Sequence, residues 1–200
     1  MMEQVSKEYI RDLKALLDRF PHDIFQKIFK ILLDAYKDDR HIFVMGNGGS
    51  GSTASHFVCD INKGSCYRLE KRFKMICLND NIPSILAYAN DQSYEDIFVE
   101  QLKNFLREGD VVIGISGSGN SKNVLKAIEY AKEKGAITIG FCGYDGGRLS
   151  EIVDVPLIAM INDMQKSEDL HMIVVHMLMQ SLSRAVECNQ EAPCETHPGS

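Results

Sequence analysis

His56 and Asp60 stand four residues apart in the segment STASHFVCD. That spacing puts an imidazole and a carboxylate on one helical face, within reach of each other. Such a pair can bind a metal or share acid–base work, although an isolated His-Asp pair is usually only a surface contact. Its place in the chain argues for more, because it follows Gly46-Asn47-Gly48-Gly49-Ser50-Gly51 by one to two turns. This glycine-rich stretch ends an apolar run, Ile42 to Met45, that reads as a buried strand. A strand that stops in glycines and serines and restarts as a helix leaves backbone N–H groups unpaired at the positive end of the helix dipole. That arrangement suits an anion, typically a phosphate. A Cβ in such a loop would hold the ligand off the backbone.

The same device recurs where VVIGI (111–115) runs into Ser116-Gly117-Ser118-Gly119-Asn120-Ser121. Ser116, Ser118 and Ser121 place three hydroxyls within six residues. An ionised phosphate offers acceptors and no donor, so hydroxyls and amides complement it without a lysine. Asn120 or Ser121 is also expected to cap the helix that follows.

A further polar cluster, Glu168, His171 and His176, lies among Ile173, Val174, Val175, Met177 and Leu178 near the end of the chain. Either histidine could be a core residue. A catalytic metal wants three protein ligands and an open position, and His56, Asp60, Glu168 and His176 are all suitable types. Glu168 and His176, however, are eight residues apart, about 12 Å along a straight helix. Both serve one ion only if the helix begins after Glu168 or if subunits share the site. Asn79-Asp80 and Asn90-Asp91 each follow an apolar segment and could hold sugar hydroxyls or form turns.

Gly46-x-Gly48-x-x-Gly51 also matches a dinucleotide fingerprint, which expects an acidic residue about 20 positions on. Here Asp80 comes 34 positions after Gly46, and Ser52 stands where a P-loop would have its lysine. No nucleotide cofactor is therefore expected.

The elements that must position these groups follow from periodicity. Val5, Ile10, Leu13, Leu16 and Leu17, then Ile24, Ile28, Ile31, Leu32 and Tyr36, predict two helices over 3–38 broken at Pro21. They either cap the sheet or pack on another subunit. Strands are expected at 42–45, 74–78, 111–115, 137–141 and 155–160, with helices at 51–62, 93–107, 121–134, 147–152 and 167–187. Strands alternating with helices mean a mostly parallel sheet covered on both faces. With strand order 2-1-3-4-5, strands one and three meet at the switch point where such sheets bind ligands, and those two strands end in the glycine-serine loops.

Composition bounds the alternatives. The 200 residues, 44% hydrophobic and 25% charged, suit one globular unit, taken as residues 1–187 with a helical pair (1–40) before an α/β core (41–187). Residues 188–200 lack periodicity and are expected to be disordered. A net charge of −6 argues against a broad nucleic-acid face. No apolar run approaches the roughly 18 residues of a membrane span, and MMEQVSKEYIRDL has charges where a signal peptide has its apolar core. Six cysteines without a C-x-x-C pair read as reduced thiols of a cytoplasmic protein.

Taken in order, Gly46-Asn47-Gly48-Gly49-Ser50, His56, Asn90-Asp91, Ser116 to Ser121, Gly143-Tyr144-Asp145-Gly146-Gly147 and a terminal helix with His171 and His176 resemble the sugar isomerase (SIS) domain family. They are most similar to its phosphoheptose isomerase branch, over residues 5 to 186. The resemblance implies a three-layer α/β/α fold of flavodoxin type on a five-stranded parallel sheet. It also implies a homotetramer with sites near subunit boundaries, zinc in many members, and interconversion of a ketose and an aldose phosphate, with sedoheptulose 7-phosphate the leading substrate.

Carried over by position, Asn47, Gly48, Gly49, Ser50, Asn90, Asp91 and Glu168 would touch the substrate. Ser116, Gly117, Ser118 and Ser121 would hold its phosphate. His56, Asp60, Glu168 and His176 would fall on metal ligands, with Asp60 and His176 also the acid–base pair of an enediol mechanism. Three departures stand out: Asp60 replaces a glutamate, Glu168 replaces a glutamine, and Ser116-Gly117-Ser118 replaces serine-threonine-serine. The rival expectation is a non-catalytic SIS protein that binds a phosphosugar or a protein partner, as a replication-initiator-binding relative does. Three titratable groups near one loop favour the enzyme.

Overall fold

The structure is a computed structural model that describes residues 2–188. Helices α1 (Met2–Leu17) and α2 (His22–Lys37) precede β1 (His41–Gly46) and α3 (Gly48–Cys59). The chain continues through a π-helical turn (Asp60–Ser65), β2 (Lys74–Cys77), α4 (Ile82–Asp91), a 3₁₀ turn (Tyr94–Asp96) and α5 (Val99–Phe105). It ends with β3 (Val111–Ser116), α6 (Lys122–Glu133), β4 (Ile137–Gly143), α7 (Gly147–Ile152), β5 (Val155–Ala159) and α8 (Met164–Cys188).

The five strands form one parallel sheet in the order β2-β1-β3-β4-β5. The carboxyl ends of β1 and β3 are therefore neighbours, as the 2-1-3-4-5 expectation requires. All of β3 and nearly all of β1 are buried, which is why they read as unbroken apolar runs. Successive side chains still part to opposite faces. Ile42, Val44, Ile113 and Ile115 join Ile28, Leu32, Phe57, Val174 and Leu178 beneath α2, α3 and α8. Phe43, Met45 and Val112 join Phe98, Leu102, Val124, Ile128 and Leu149 beneath α5, α6 and α7. The result is a three-layer α/β/α fold.

Three local expectations change. The segment IPSILAYAND, read as an apolar run ending in a turn, is helix α4. Its signals are the Asn81 side chain, which accepts from Ser84 N–H, and a proline in the first turn. The single helix expected at 93–107 is a 3₁₀ turn followed by α5, entered through Ser93, whose hydroxyl accepts from Glu95 N–H at 3.0 Å. The last helix starts at Met164 rather than 167, because the Asp163 carboxylate takes Lys166 N–H at 3.0 Å. The expected disordered tail lies, from residue 189 on, outside the described residues. Among those, no helix is long and apolar enough to cross a membrane.

Candidate active site

β1 ends in a crowded corner. A Cβ on Gly46 would lie 2.7 Å from the Ser50 backbone and 2.9 Å from the Ile115 carbonyl, so only glycine lets α3 start this close to β3. The Asn79 amide continues the β1–β2 ladder with a side chain: its Oδ1 accepts from Gly46 N–H (3.2 Å) and its Nδ2 donates to Gly46 C=O (2.7 Å). Asp80 accepts from the Ser55 hydroxyl of α3. Asn79 and Asp80 are thus engaged by the protein itself. Gly48, at φ +52°, supplies the left-handed residue that opens the helix. Ser50 is buried behind it.

Asn47 is the N-cap residue of α3, yet its side chain makes no capping bond. Instead it exchanges two amide hydrogen bonds, both 2.9 Å, with the buried Asn123 of α6. The Tyr94 hydroxyl also donates to Asn47 Oδ1 at 3.0 Å. These bonds tie the first glycine loop to the second. Nothing in the sequence pattern marks Tyr94 or Asn123, because each works through a partner distant along the chain, and Asn79, a candidate for sugar hydroxyls or a turn, is bonded instead to Gly46.

The second loop keeps its hydroxyls. Ser121 is the N-cap residue of α6 but also makes no side-chain cap bond, against expectation. Its Oγ lies 3.0 Å from that of the buried Ser116. Nor does Asn120 cap α6. It reaches back to Ser118 C=O (2.8 Å) and accepts from Arg148 N–H (3.1 Å), tying the loop to the start of α7. Ser118 is exposed and accepts from Asn120 N–H at 3.2 Å. A Cβ on Gly117 would meet the Met164 sulfur, the far end of a flexible side chain. A cavity of about 650 Å³ opens beside Ser118 and Asn120, walled by Tyr144, Asp145 and Ile161.

The titratable groups converge where α3 and α8 run side by side. His56 Nε2 lies 3.0 Å from His176 Nε2 and 3.2 Å from Asp60 Oδ2, and His176 Nε2 lies 3.9 Å from the same oxygen. The rings meet edge to face. The two histidine side chains are nearly half exposed, at 44% and 47%, and Asp60 is 22% exposed. Asp60 begins the π-helical turn, which is pinned to β2 by Asn62: its Nδ2 donates to Met75 C=O (2.8 Å) and its Oδ1 accepts from Met75 N–H (3.3 Å). Two imidazole nitrogens and a carboxylate oxygen within 4.8 Å of one another form a donor set of the type that holds zinc. Tetrahedral zinc keeps its donors roughly 3.3 Å apart, so the residues present fit the ion.

Glu168 is not brought to this trio. α8 is continuous from Met164, so the helical rise separates Glu168 from His176 within one chain, and the Glu168 carboxylate lies instead against Gly49. His171 is the core histidine. It is fully buried, with Nε2 3.0 Å from the Cys142 carbonyl and Nδ1 without a partner among the described residues. A carbonyl only accepts, so Nε2 carries the proton, and burial pushes the imidazole pKa down to about 4. Asn90 and Asp91 sit exposed on the last turn of α4, where Asn90 Nδ2 donates to Asp91 Oδ1 at 2.7 Å.

The SIS domain profile matches residues 8–143. The phosphoheptose isomerase of Geotalea daltonii is 36% identical over 188 residues, 92% of this chain and 96% of its own. That of Helicobacter pylori is 35% identical over 184 residues, 90% and 94% of the two chains. The solved phosphoheptose isomerase of Neisseria gonorrhoeae superimposes with a TM-score of 0.83 at 25% identity, covering 92% of this chain and 98% of that one. With a matching profile, relatives alike over nearly their whole length and a shared three-layer fold, this chain belongs to the SIS domain family, in its phosphoheptose isomerase branch.

Proposed function

We propose that this chain is a sugar-phosphate aldose–ketose isomerase that interconverts sedoheptulose 7-phosphate and D-glycero-D-manno-heptose 7-phosphate. The observation that carries the reading is the meeting of His56 on α3, Asp60 on the π-helical turn that follows it and His176 on α8. A protein that only binds a phosphosugar or a partner needs no such convergence. Ser116, Ser118 and Ser121 hold the phosphate through hydroxyls, with the α6 backbone donors behind them. Gly48, Gly49, Asn90, Asp91 and Glu168 face the sugar, while Ser50 supports Gly48 from behind and Asn47 sets the loop through Asn123. Asp60 takes the proton from the carbon beside the carbonyl and returns it to the neighbouring carbon. His176 moves a proton between the two oxygens of the enediol. His56, Asp60 and His176 would hold one zinc ion per subunit, which when bound supplies polarisation of those oxygens.

Residues 1–187 act as one SIS domain, since α2 places Ile28 and Leu32 in the same core as β1. A homotetramer is supported by the exposed Val5 and Ile10 of α1 and Ile82 and Leu86 of α4. Free Cys59, Cys66, Cys77 and Cys142 fit a reducing cytoplasm. The direct test is incubation of pure protein with sedoheptulose 7-phosphate, following aldose formation. Binding without turnover, in metal-loaded as well as metal-free protein, would overturn the reading in favour of the non-catalytic binder.

A further inference from the structure

We infer that Asn123 is a positioning residue for the isomerisation: through Asn47, and with Tyr94, it sets the separation between the loop that takes the phosphate and the helix that carries the acid–base groups. The inference rests on the isomerase reading, in which one sugar chain must span both. Asn47 is the N-cap residue of α3, and His56 follows it by nine residues, about 13 Å along the helix. Asn123 lies in the first turn of α6, two residues past Ser121 of the serine loop. The two side chains exchange a pair of amide hydrogen bonds, both 2.9 Å. Among the described residues, no other side-chain hydrogen bond joins the first loop or α3 to the second loop or α6.

The polarity of this link is fixed from the α6 backbone. Val124 N–H can only donate, and it lies 2.9 Å from Asn123 Oδ1. Asn123 Nδ2 therefore faces Asn47 Oδ1, and the Tyr94 hydroxyl, 3.0 Å from the same oxygen, donates there as well. Tyr94 is itself tied to α6, because the 3₁₀ turn it opens pairs Glu95 with Lys122 at 3.0 Å and Asp96 with Lys126 at 2.5 Å. The Asn47 side chain thus forgoes the cap it could make to its own helix and bonds only to groups held with α6. Asn123 is 2% exposed, and a buried amide stripped of its partner is costly, so the pair resists being drawn apart. Beyond the end of α3, the π-helical turn is held separately, by Asn62 on β2. With both ends fixed, His56, and Asp60 just beyond it, stand at a set distance from the serine loop. Reaction geometry tolerates little error there, since a displacement of about 1 Å can cost on the order of 10²-fold in rate.

The test is Asn123→Ala, read by kcat and by the calorimetric Kd for sedoheptulose 7-phosphate, in the wild-type and the Asn47→Ala backgrounds. Asn123→Ala should lower kcat by roughly 10- to 100-fold and leave Kd within about threefold, since the serine hydroxyls still hold the phosphate. In the Asn47→Ala background the same change should cost little more, because the two amides act as one unit. Tyr94→Phe should show the same split, with kcat lower by about three- to tenfold for the one lost hydrogen bond. Should Asn123→Ala not fold, Tyr94→Phe decides, because the exposed ring stays and only its bond to Asn47 goes. Unchanged kcat in the variants, a loss carried by affinity alone, or losses that add in the Asn47→Ala background would overturn the inference and leave the isomerase reading standing. Absence of turnover in the wild type would sink that reading, and this inference with it.

Discussion

The loops after β1 and β3 look alike in sequence, each a run of glycines, serines and an asparagine between a buried strand and a helix. They are put to different uses. In the first, Gly46 admits close backbone packing, Asn47 is tied to Asn123, and Glu168 lies over Gly49. The helix it opens, α3, carries His56 toward Asp60 and His176. In the second, the hydroxyls of Ser116 and Ser121 face each other at 3.0 Å without capping α6. On the proposed reading, one device serves as a scaffold for chemistry in one place and as a cradle for an anion in the other. The difference comes from what packs against each loop, and four experiments bear on it.

The largest effect belongs to the α3 side. Asp60→Asn and His176→Gln should each lower kcat by roughly 10²–10⁴-fold while leaving phosphosugar binding much closer to wild type. Steady-state kinetics beside calorimetry separates the two. Wild-type turnover in Asp60→Asn would erase the division of labour between the loops. Should the same variants also lose bound zinc by elemental analysis, the trio is the metal centre.

The next concerns the support beneath the second loop. His171 holds the carbonyl of Cys142, which pairs in register with Ser116, and Gly143 N–H donates to Gly117 C=O at 2.8 Å. Its folded pKa of about 4 lies below the ordinary value of 6.5. Between those values the unfolded chain binds a proton that the folded chain does not. This contribution to stability is therefore full above about pH 6.5 and falls as pH drops toward 4, by roughly 3 kcal/mol. Urea unfolding across that range should show the slope in wild type and a flatter one in His171→Gln. Equal slopes would show that the buried imidazole is not the group responsible.

Gly46→Ala probes the crowding of the first loop. The added methyl meets backbone atoms of Ser50 and Ile115, which cannot swing aside as a side chain would. The cost expected for such overpacking is about 2–3 kcal/mol of stability. An unchanged urea midpoint would mean that the corner is looser than its geometry implies. Last and smallest, Ser118→Ala and Ser121→Ala should each weaken phosphosugar binding by roughly 1–2 kcal/mol, with kcat little changed. Unaltered affinity in both would remove the phosphate from the second loop.

Much of this was legible before folding is considered. Apolar runs such as Ile42 to Met45 and VVIGI (111–115) mark parallel strands buried on both faces, since such strands shed the polar–apolar alternation of a solvated sheet. Their endings in glycine and serine locate the ligand end of the sheet, and the His56–Asp60 spacing places both groups on one side of a helix turn. These are local properties, carried by backbone sterics and helical repeat. Pairings across the chain are of another kind. His176 reaches His56 across 120 residues, Asn123 reaches Asn47 across 76, and Asn79 reaches Gly46 across 33. No spacing rule connects them, because a side chain's partner depends on which helix faces are pressed together. Glu168 shows the same limit. Its residue type suited a metal ligand, but the Asp163 cap starts α8 early and the absence of a side chain at Gly49 admits the carboxylate over α3. Local pattern names the groups able to do chemistry, and packing selects the ones that meet, because contact energies act only between atoms the fold has already made neighbours.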